Sequence, residues 1–311
     1  MQVRHFHLQK TEEAPPCVLA LGLFDGVHVG HRALLDEAKT RARAQGLAFS
    51  VFTFDSACGK LKVGAKRLYP TKQKLALLEE IGADIVFLAD FAELSDLSPE
   101  DFLDRCVIGQ MNARVGVFGY NFRFGKGAEG TPEFFADRFR AAGLSTVTLP
   151  EVFLDGAEIS TTKIREALAR GDLPTANRLL GAPYTQFGTV CHGKGLGHLY
   201  GIPTVNTKIE DSYDILSHGV YLTAVSFDGA RYRALTNVGV CPTFGAREVH
   251  AETSLYDFDG DLYGKEVRIE YYRKLREERR FDNEDALVRQ INADLAYAKG
   301  VPLPWKEPGQ N

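Results

Sequence analysis

From residue 17 to residue 149, short apolar runs alternate with helical patterns. The runs that are typical of buried strands lie at 17–23, 49–54, 85–88, 115–118 and 145–149. Between them, apolar residues recur at helical spacing over 32–45, 71–81, 99–111 and 132–142. This alternation predicts an α/β domain whose strands form a parallel sheet with helices on both faces.

The pattern changes after the sequence Gly181-Ala182-Pro183, which is typical of a hinge. Beyond it the apolar period drops to two, with strand patterns at 185–192, 205–209, 219–227, 231–238, 251–256 and 266–274. Six strands in about 90 residues, with no helical pattern between them, predict a small closed antiparallel β-barrel. An amphipathic segment at 282–299 predicts a covering helix. The predicted domains are therefore 1–182 and 183–311.

Composition narrows the class of protein. The net charge of −4 and the 44% of hydrophobic residues describe a globular chain with room for two cores. There is no basic stripe, so we expect small anions held at defined sites, and no nucleic acid, as partners. The oligomeric state is not indicated.

Cysteine usage and the N-terminus indicate the compartment. Five cysteines, at positions 17, 58, 106, 191 and 241, are scattered and form no Cys-x-x-Cys pair, which argues against a disulfide framework or a zinc site. Residues 1–16 are polar, and the apolar run after them is too short for a secretory signal or a membrane span. We therefore predict a cytoplasmic protein.

The first candidate site is the turn at 22–31, between the first predicted strand and helix. Glycines let such a turn approach a ligand closely, and the free N–H groups of the helix start favour an anion. Two histidines three residues apart can donate hydrogen bonds to phosphate. A tight turn with two solvated histidines is the alternative that this motif leaves open. The candidate residues are Gly22, Phe24, Asp25, Gly26, His28 and His31.

Two further loops follow strands of the predicted sheet, and ligands of parallel sheets bind beyond such strand ends. Segment 119–127 combines aromatic residues and glycines with Arg123 and Lys126, which suits a flat heterocycle with a phosphate, although its aromatic residues could equally fill the sheet edge. Segment 160–165 places Lys163 and Arg165 in the first turn of a predicted helix, an unfavourable position for cations unless an anion binds there.

The second half carries its chemistry in a glycine-rich stretch at 188–206. It lacks the Lys-Ser or Lys-Thr of a P-loop, and His198 stands where a dinucleotide-binding motif has its third glycine. A glycine-rich flap that wraps phosphates and a plain glycine loop both remain open. On an extended chain, Thr204 and Asn206 point the same way and offer neutral oxygens to one hard cation. The candidate residues of the flap are Gly193, Lys194, Gly195 and Gly197.

The segments 22–31, 119–127 and 160–165 together resemble the adenylyltransferase module of the bacterial bifunctional riboflavin kinase/FAD synthetases. The resemblance implies a Rossmann-like nucleotidyltransferase domain with a site of the His-x-Gly-His class, in which FMN phosphate attacks the α-phosphorus of ATP and pyrophosphate leaves. It also implies that His28 and His31 steady the triphosphate. The positions implied to hold phosphate or nucleotide are Asn121, Arg123, Ser160, Thr161 and Arg165.

The second strand of this module ends differently from the family pattern. The family usually has Phe-Asp-Pro-His-Pro there, whereas this chain has Phe54-Asp55-Ser56-Ala57-Cys58. A less rigid loop positions a substrate less well, and misplacement by about an ångström costs on the order of a hundredfold in rate. A riboflavin kinase with a weakened adenylyltransferase module is therefore the alternative hypothesis.

The stretch 188–206, with 219–221, 237–245 and 257–264, resembles the riboflavin kinase module, and Pro203-Thr204-Val205-Asn206 is its most specific motif. The resemblance implies that Thr204 and Asn206 bind Mg²⁺ with the phosphates of ATP. It also implies that Glu252 removes the proton of the riboflavin 5′-hydroxyl, although spacing alone does not separate it from Glu248. Segment 257–264 lacks the acid spacing of a calcium loop and is interpreted as a turn.

Three functions are compatible with these patterns. The leading one is a two-step enzyme that uses ATP and Mg²⁺ to convert riboflavin to FMN and then FMN to FAD. The second is the kinase with a weakened adenylyltransferase module, and the third is a non-catalytic flavin-binding or regulatory protein. Two residues after Glu252, Ser254 replaces the histidine that is common in the family.

Overall fold

The computed structural model describes residues 1–9, 14–55, 67–191, 204–209, 213, 215–241, 248–279 and 281–303. By its internal contacts the chain divides into two compact units, Met1–Thr161 and Thr162–Asn311. The boundary expected from the sequence, between residues 182 and 183, lies further along the chain. The division into domains 1–182 and 183–311 stays a prediction.

The first unit contains a six-stranded sheet in which every neighbouring pair is parallel. Its strands are β1 Gln2–Phe6, β2 Cys17–Leu21, β3 Ala48–Phe54, β4 Ile85–Ala89, β5 Ala113–Gly119 and β6 Ser145–Leu149. The order across the sheet is β1-β4-β3-β2-β5-β6. Strands β3 and β4 therefore lie on one side of β2, and β5 and β6 lie on the other side of β2. The crevice beyond the carboxyl ends of β2 and β5 is where such sheets bind ligands.

Strand β1 is the one sheet strand that the sequence analysis missed. It is an edge strand that pairs with β4, and of its five residues Phe6 alone is buried. Because most of its side chains face solvent, its sequence Gln-Val-Arg-His-Phe carries too weak an apolar signal to be separated from the polar N-terminus. The predicted parallel sheet is otherwise confirmed.

Helices join the strands of this unit. They are α1 Val29–Gln45, α2 Thr71–Ile81, α3 Phe91–Leu94, α4 Pro99–Asp101 and α5 Pro132–Ala141, and a short antiparallel pair, β7 Phe153–Leu154 and β8 Ala157–Glu158, follows the sheet. Helix α4 continues as a π-helix, Phe102–Gln110, where the N–H of Met111 donates to the carbonyl of Cys106 at 2.8 Å. The helix predicted at 99–111 is therefore real but wider than an α-helix over most of its length.

The sheet is covered on both faces, as its sequence predicts. All five residues of β2 and all five of β4 are buried. Helix α5 packs so closely on β5 that a Cβ atom at Gly116 would lie 2.7 Å from the ring of Phe135. This packing fixes the strand ends that carry the candidate site.

The second unit is built around a closed barrel of six antiparallel strands in the order β10-β13-β12-β11-β14-β9. The strands are β9 Tyr184–Cys191, β10 Thr204–Ile209, β11 Gly219–Phe227, β12 Ala230–Cys241, β13 Glu248–Leu255 and β14 Glu266–Arg276, and the helices are α6 Thr161–Arg170, α7 Leu173–Leu180 and α8 Glu284–Gly300. The barrel predicted from the period of two is confirmed.

Helix α8 is fixed to the barrel by buried polar contacts. The Arg276 guanidinium pairs with the Asp294 carboxylate at 2.8 Å, and the Arg233 guanidinium donates to the carbonyls of Ala298 and Val301 at the end of the helix. A cation at a helix C-terminus is favoured by the helix dipole. No helix in the described part of the chain has the length and apolarity that crossing a membrane would need.

Candidate functional site

The turn after β2 has an unusual backbone. Phe24 and Val27 adopt φ values of +49° and +45°, and Gly26 adopts +88°. Left-handed backbone is unfavourable for residues with a Cβ atom and is concentrated at functional sites. Helix α1 begins directly after it, with His28 as N-cap, because the His28 Nδ1 atom accepts a hydrogen bond from the His31 N–H at 3.3 Å. This cap starts the helix three residues earlier than the sequence predicts.

The two histidines stack on one another. Their ring centroids lie 3.6 Å apart with the planes tilted by 14°, and Phe24 packs edge-on against His31. Burial lowers the pKa of His28 to about 4. Burial, followed by the charges of His28 and Lys74, lowers the pKa of His31 well below its usual value. Both rings are therefore neutral at pH 7, and since Nδ1 of His28 accepts a bond, its Nε2 carries the proton and is a donor.

These pKa shifts predict an acid-sensitive fold. The unfolded chain protonates His28 near pH 6.5, whereas the folded chain resists protonation until about pH 4. This difference in pKa contributes to the free energy of unfolding. The contribution is fully present above pH 6.5 and falls by on the order of 3 kcal/mol between pH 6.5 and pH 4. We expect His28→Asn, which keeps an N-cap acceptor but does not titrate, to reduce this loss.

Urea unfolding between pH 4 and 7, followed by hydrogen exchange of peptides from the parallel sheet, measures this difference. His7→Asn is the control, since His7 lies on the surface beside Glu93. Identical pH dependence in the His28→Asn protein and the unaltered protein would show that His28 titrates normally in the folded state.

A cavity of about 700 Å³ opens beside the histidine pair, at the carboxyl ends of β2, β3, β5 and β6. Six of the residues predicted from the sequence line it together with His28 and His31. They are Gly22, Phe24, Asn121, Arg123, Ser160 and Thr161. The structure thus brings together three segments that lie far apart in the sequence.

Other predicted residues take different positions. Asp25 and Gly26 are not among the residues lining this cavity; the Asp25 carboxylate accepts from the Leu68 N–H at 3.0 Å and so holds the turn. Arg165 lies half-buried on α6, in the second unit. Residues 56–58, where the chain departs from the family pattern, and the flap residues Gly193, Lys194, Gly195 and Gly197 lie outside the described residues.

One wall of the cavity is aromatic, and sequence reasoning found only part of it. Phe122 and Phe124 come from the predicted loop and stack at 5.6 Å, but Phe54, Phe91 and Phe102 enter from three other segments. Phe54 and Phe91 meet edge to face at 5.3 Å. The available signal was a phenylalanine at the carboxyl end of β3, Phe54, and another two residues after the end of β4, Phe91.

The second candidate site lies on the outer face of the barrel. Thr207 and Thr253 are buried, so their neighbours Asn206 and Glu252 face outward, where they stand opposite each other on β10 and β13. The Thr204 hydroxyl donates to the Glu252 carboxylate at 3.0 Å. The structure therefore assembles the predicted kinase residues on adjacent strands.

Glu252 also faces Asn237 on β12, and the Asn237 side-chain amide donates to Glu278 at 3.3 Å. A row of polar side chains thus crosses three strands. A second pocket, of about 370 Å³, lies beside Thr204 and is closed by the segment 258–263, within the predicted turn. Of the residues that the sequence predicts for metal binding and proton transfer, Thr204 lines this pocket, whereas Asn206 and Glu252 do not.

Two sequence models of known protein families match this chain, one over each candidate site. The sequence model for FAD synthetase matches residues 10–163, and the model for riboflavin kinase matches residues 180–301. The first match contains the histidine pair and its cavity, and the second contains the barrel. Together they define a class of two-module flavin nucleotide enzymes.

Full-length relatives carry both modules. Bifunctional riboflavin kinase/FMN adenylyltransferases from Bacillus subtilis, Pseudomonas fluorescens and Escherichia coli are 34%, 34% and 33% identical to this chain, and each alignment covers at least 96% of both proteins. The chain belongs to the family of bifunctional riboflavin kinase/FMN adenylyltransferases.

A solved structure shares the fold. The crystal structure described as a macrolide-efflux protein from Streptococcus pneumoniae aligns with a TM-score of 0.85 at 28% identity, over 97% of this chain and 100% of that one. The described strands and helices therefore belong to an arrangement that has been observed by experiment.

Proposed function

We propose that this chain makes FAD from riboflavin in two ATP-dependent steps, each in its own unit. The barrel transfers the γ-phosphoryl group of ATP to the 5′-hydroxyl of riboflavin, which yields FMN and ADP. The parallel-sheet unit joins FMN to the adenylyl group of a second ATP, which yields FAD and pyrophosphate. The observation that carries the proposal is the presence of two separate sets of polar groups, the His28–His31 pair and the set of Thr204, Asn206 and Glu252.

In the kinase step, Glu252 accepts the proton of the riboflavin 5′-hydroxyl as that oxygen attacks the γ-phosphorus. The carboxylate is exposed on the barrel face, and the Thr204 hydroxyl holds it by a hydrogen bond of 3.0 Å. The pocket beside Thr204 suits the nucleotide. Catalysis is then mostly positioning and charge stabilisation, as in other phosphoryl transfers.

The oxygen donors of this site fit Mg²⁺. Thr204 offers a hydroxyl and Asn206 a carbonyl oxygen, both on the outer face of β10 and one strand from Glu252. Magnesium in kinases is usually held by one or two protein oxygens together with phosphate and water. When bound, it offsets the negative charge of the phosphates. Thr204 and Asn206 hold it, while Glu252 stays available for the proton.

In the adenylyl transfer step, a phosphate oxygen of FMN attacks the α-phosphorus of ATP. The neutral His28 donates from Nε2 to the triphosphate, whose negative charge increases as the bond to pyrophosphate breaks. Ser160 and Thr161 add hydroxyl groups to the same cavity. The aromatic wall suits the isoalloxazine ring of FMN.

A time course of flavin products tests the proposal. Purified protein is incubated with riboflavin, ATP and Mg²⁺, and the flavins are separated by chromatography. We expect FMN to appear first and FAD to follow. FMN that accumulates without FAD would support a kinase with a weakened adenylyltransferase module, and no product would support a non-catalytic flavin-binding protein.

A further inference from the structure

Lys74 is a buried lysine on α2 that the proposed mechanism does not use. It is 3% exposed, and its Nζ atom donates to the carbonyl of Phe54 at 2.5 Å, to the Thr53 hydroxyl at 3.2 Å and to the carbonyl of Leu23 at 3.4 Å. Its partners therefore lie at the carboxyl ends of β2 and β3, where both strands border the cavity.

The contact with Leu23 reaches the histidine turn directly. The Thr53 hydroxyl donates to the same Leu23 carbonyl at 2.8 Å, so this oxygen is held from two directions. The next residue, Phe24, has the left-handed φ of +49° and packs edge-on against the His31 ring. Fixing the Leu23 carbonyl therefore fixes the start of the segment that aims the histidines.

The charge of Lys74 also acts on the site. The titratable groups that act on the two rings are the rings themselves, Asp25 on the turn and Lys74 on α2, and the Lys74 charge lowers the pKa of His31. A positive charge that acts on His31 also favours an anion bound beside that ring in the cavity.

We propose that Lys74 is a positioning residue for adenylyl transfer. Its hydrogen bonds hold the turn after β2 in the shape that aims His28 and His31 into the cavity, and its charge favours the triphosphate of ATP beside them. The proposal rests on the adenylyltransferase activity proposed above for this unit.

Two substitutions separate the charge of Lys74 from its hydrogen bonds, and a third is a control. Lys74→Gln keeps a donor but removes the charge, and Thr53→Val removes a hydroxyl partner but keeps the charge. Lys39→Gln is the matched control, since Lys39 on α1 also donates to a carbonyl, that of Ile81 at 2.7 Å, but this carbonyl lies at the end of α2 and not at the strand ends that border the cavity.

We expect Lys74→Gln to raise the KM for ATP in FAD synthesis by roughly tenfold or more, with riboflavin phosphorylation by the same preparation unchanged. Imidazole NMR should show His31 titrating at higher pH in Lys74→Gln but not in Thr53→Val, which should raise the KM for ATP by a smaller factor. Lys39→Gln should match the unaltered protein in both measurements.

An unchanged KM for ATP and an unchanged His31 titration in folded Lys74→Gln protein would overturn the proposal. If that variant does not fold, Lys74→Arg, which keeps the charge, should retain the KM for ATP within a few-fold, and a tenfold increase would count against the role. Absence of FAD synthesis in the unaltered protein would instead reject the proposed function.

Discussion

Asn206→Ala is expected to abolish FMN formation, with a loss on the order of a thousandfold, and to leave conversion of supplied FMN to FAD within about twofold of the unaltered protein. Asn206 faces outward from β10, opposite Glu252 and two residues from Thr204. Removing its amide oxygen takes away one of the two neutral protein oxygens that we propose bind Mg²⁺ with the phosphates of ATP. The adenylyl transfer site lies in a different unit, so its chemistry should not change.

The two reactions are measured separately, riboflavin phosphorylation with riboflavin and ATP, and FAD synthesis with FMN and ATP. Lys208→Ala is the matched control, because Lys208 lies on the same face of β10 but is exposed and two residues further along the strand. Equal loss of both reactions in Asn206→Ala would contradict the two-site proposal. Loss in Lys208→Ala as large as in Asn206→Ala would show that the strand, and not the amide, is responsible.

Much of the fold follows from the spacing of apolar residues. The parallel sheet was predictable because its central strands are buried on both faces, and β2 and β4 accordingly read as unbroken apolar runs. The barrel was predictable for a different reason, since strands such as β13 alternate between buried and more exposed side chains, although the first seven residues of β11 are all buried. Edge strand β1 was missed because it buries Phe6 alone.

The candidate sites were predictable only where one segment carries most of the chemistry. His28, His31, Thr204 and Asn206 lie in two compact motifs, and the backbone of each motif places its members together. The aromatic wall and Lys74 come from separate segments that only the folded sheet brings together, so spacing could not reveal them.

The pKa of the histidines illustrates the same limit. From the sequence, two histidines near a phosphate site could be charged or neutral at pH 7. Burial lowers both pKa values, and the charges of the stacked His28 ring and of Lys74 lower that of His31 further. These histidines are therefore neutral hydrogen-bond donors at pH 7, and the charge of Lys74 acts on His31.

The reciprocal experiment replaces both histidines. The double variant His28→Ala with His31→Ala should lose FAD synthesis from FMN by on the order of a thousandfold while riboflavin phosphorylation stays within about twofold. The reason is that the stacked pair supplies the donors that we expect to meet the triphosphate as pyrophosphate leaves, and no barrel residue depends on it in the proposed mechanism.

Loss of the N-cap of α1 would also reduce FAD synthesis in the double variant, because His28 accepts a hydrogen bond from the His31 N–H at the start of this helix. The single variant His28→Asn restores a cap acceptor without an imidazole, so a rate loss that persists in it belongs to the ring. His5→Ala, on exposed strand β1, is the surface control. FAD synthesis that survives in the double variant would place the nucleotidyl site elsewhere in the chain, and the cavity beside β2 would then need another ligand.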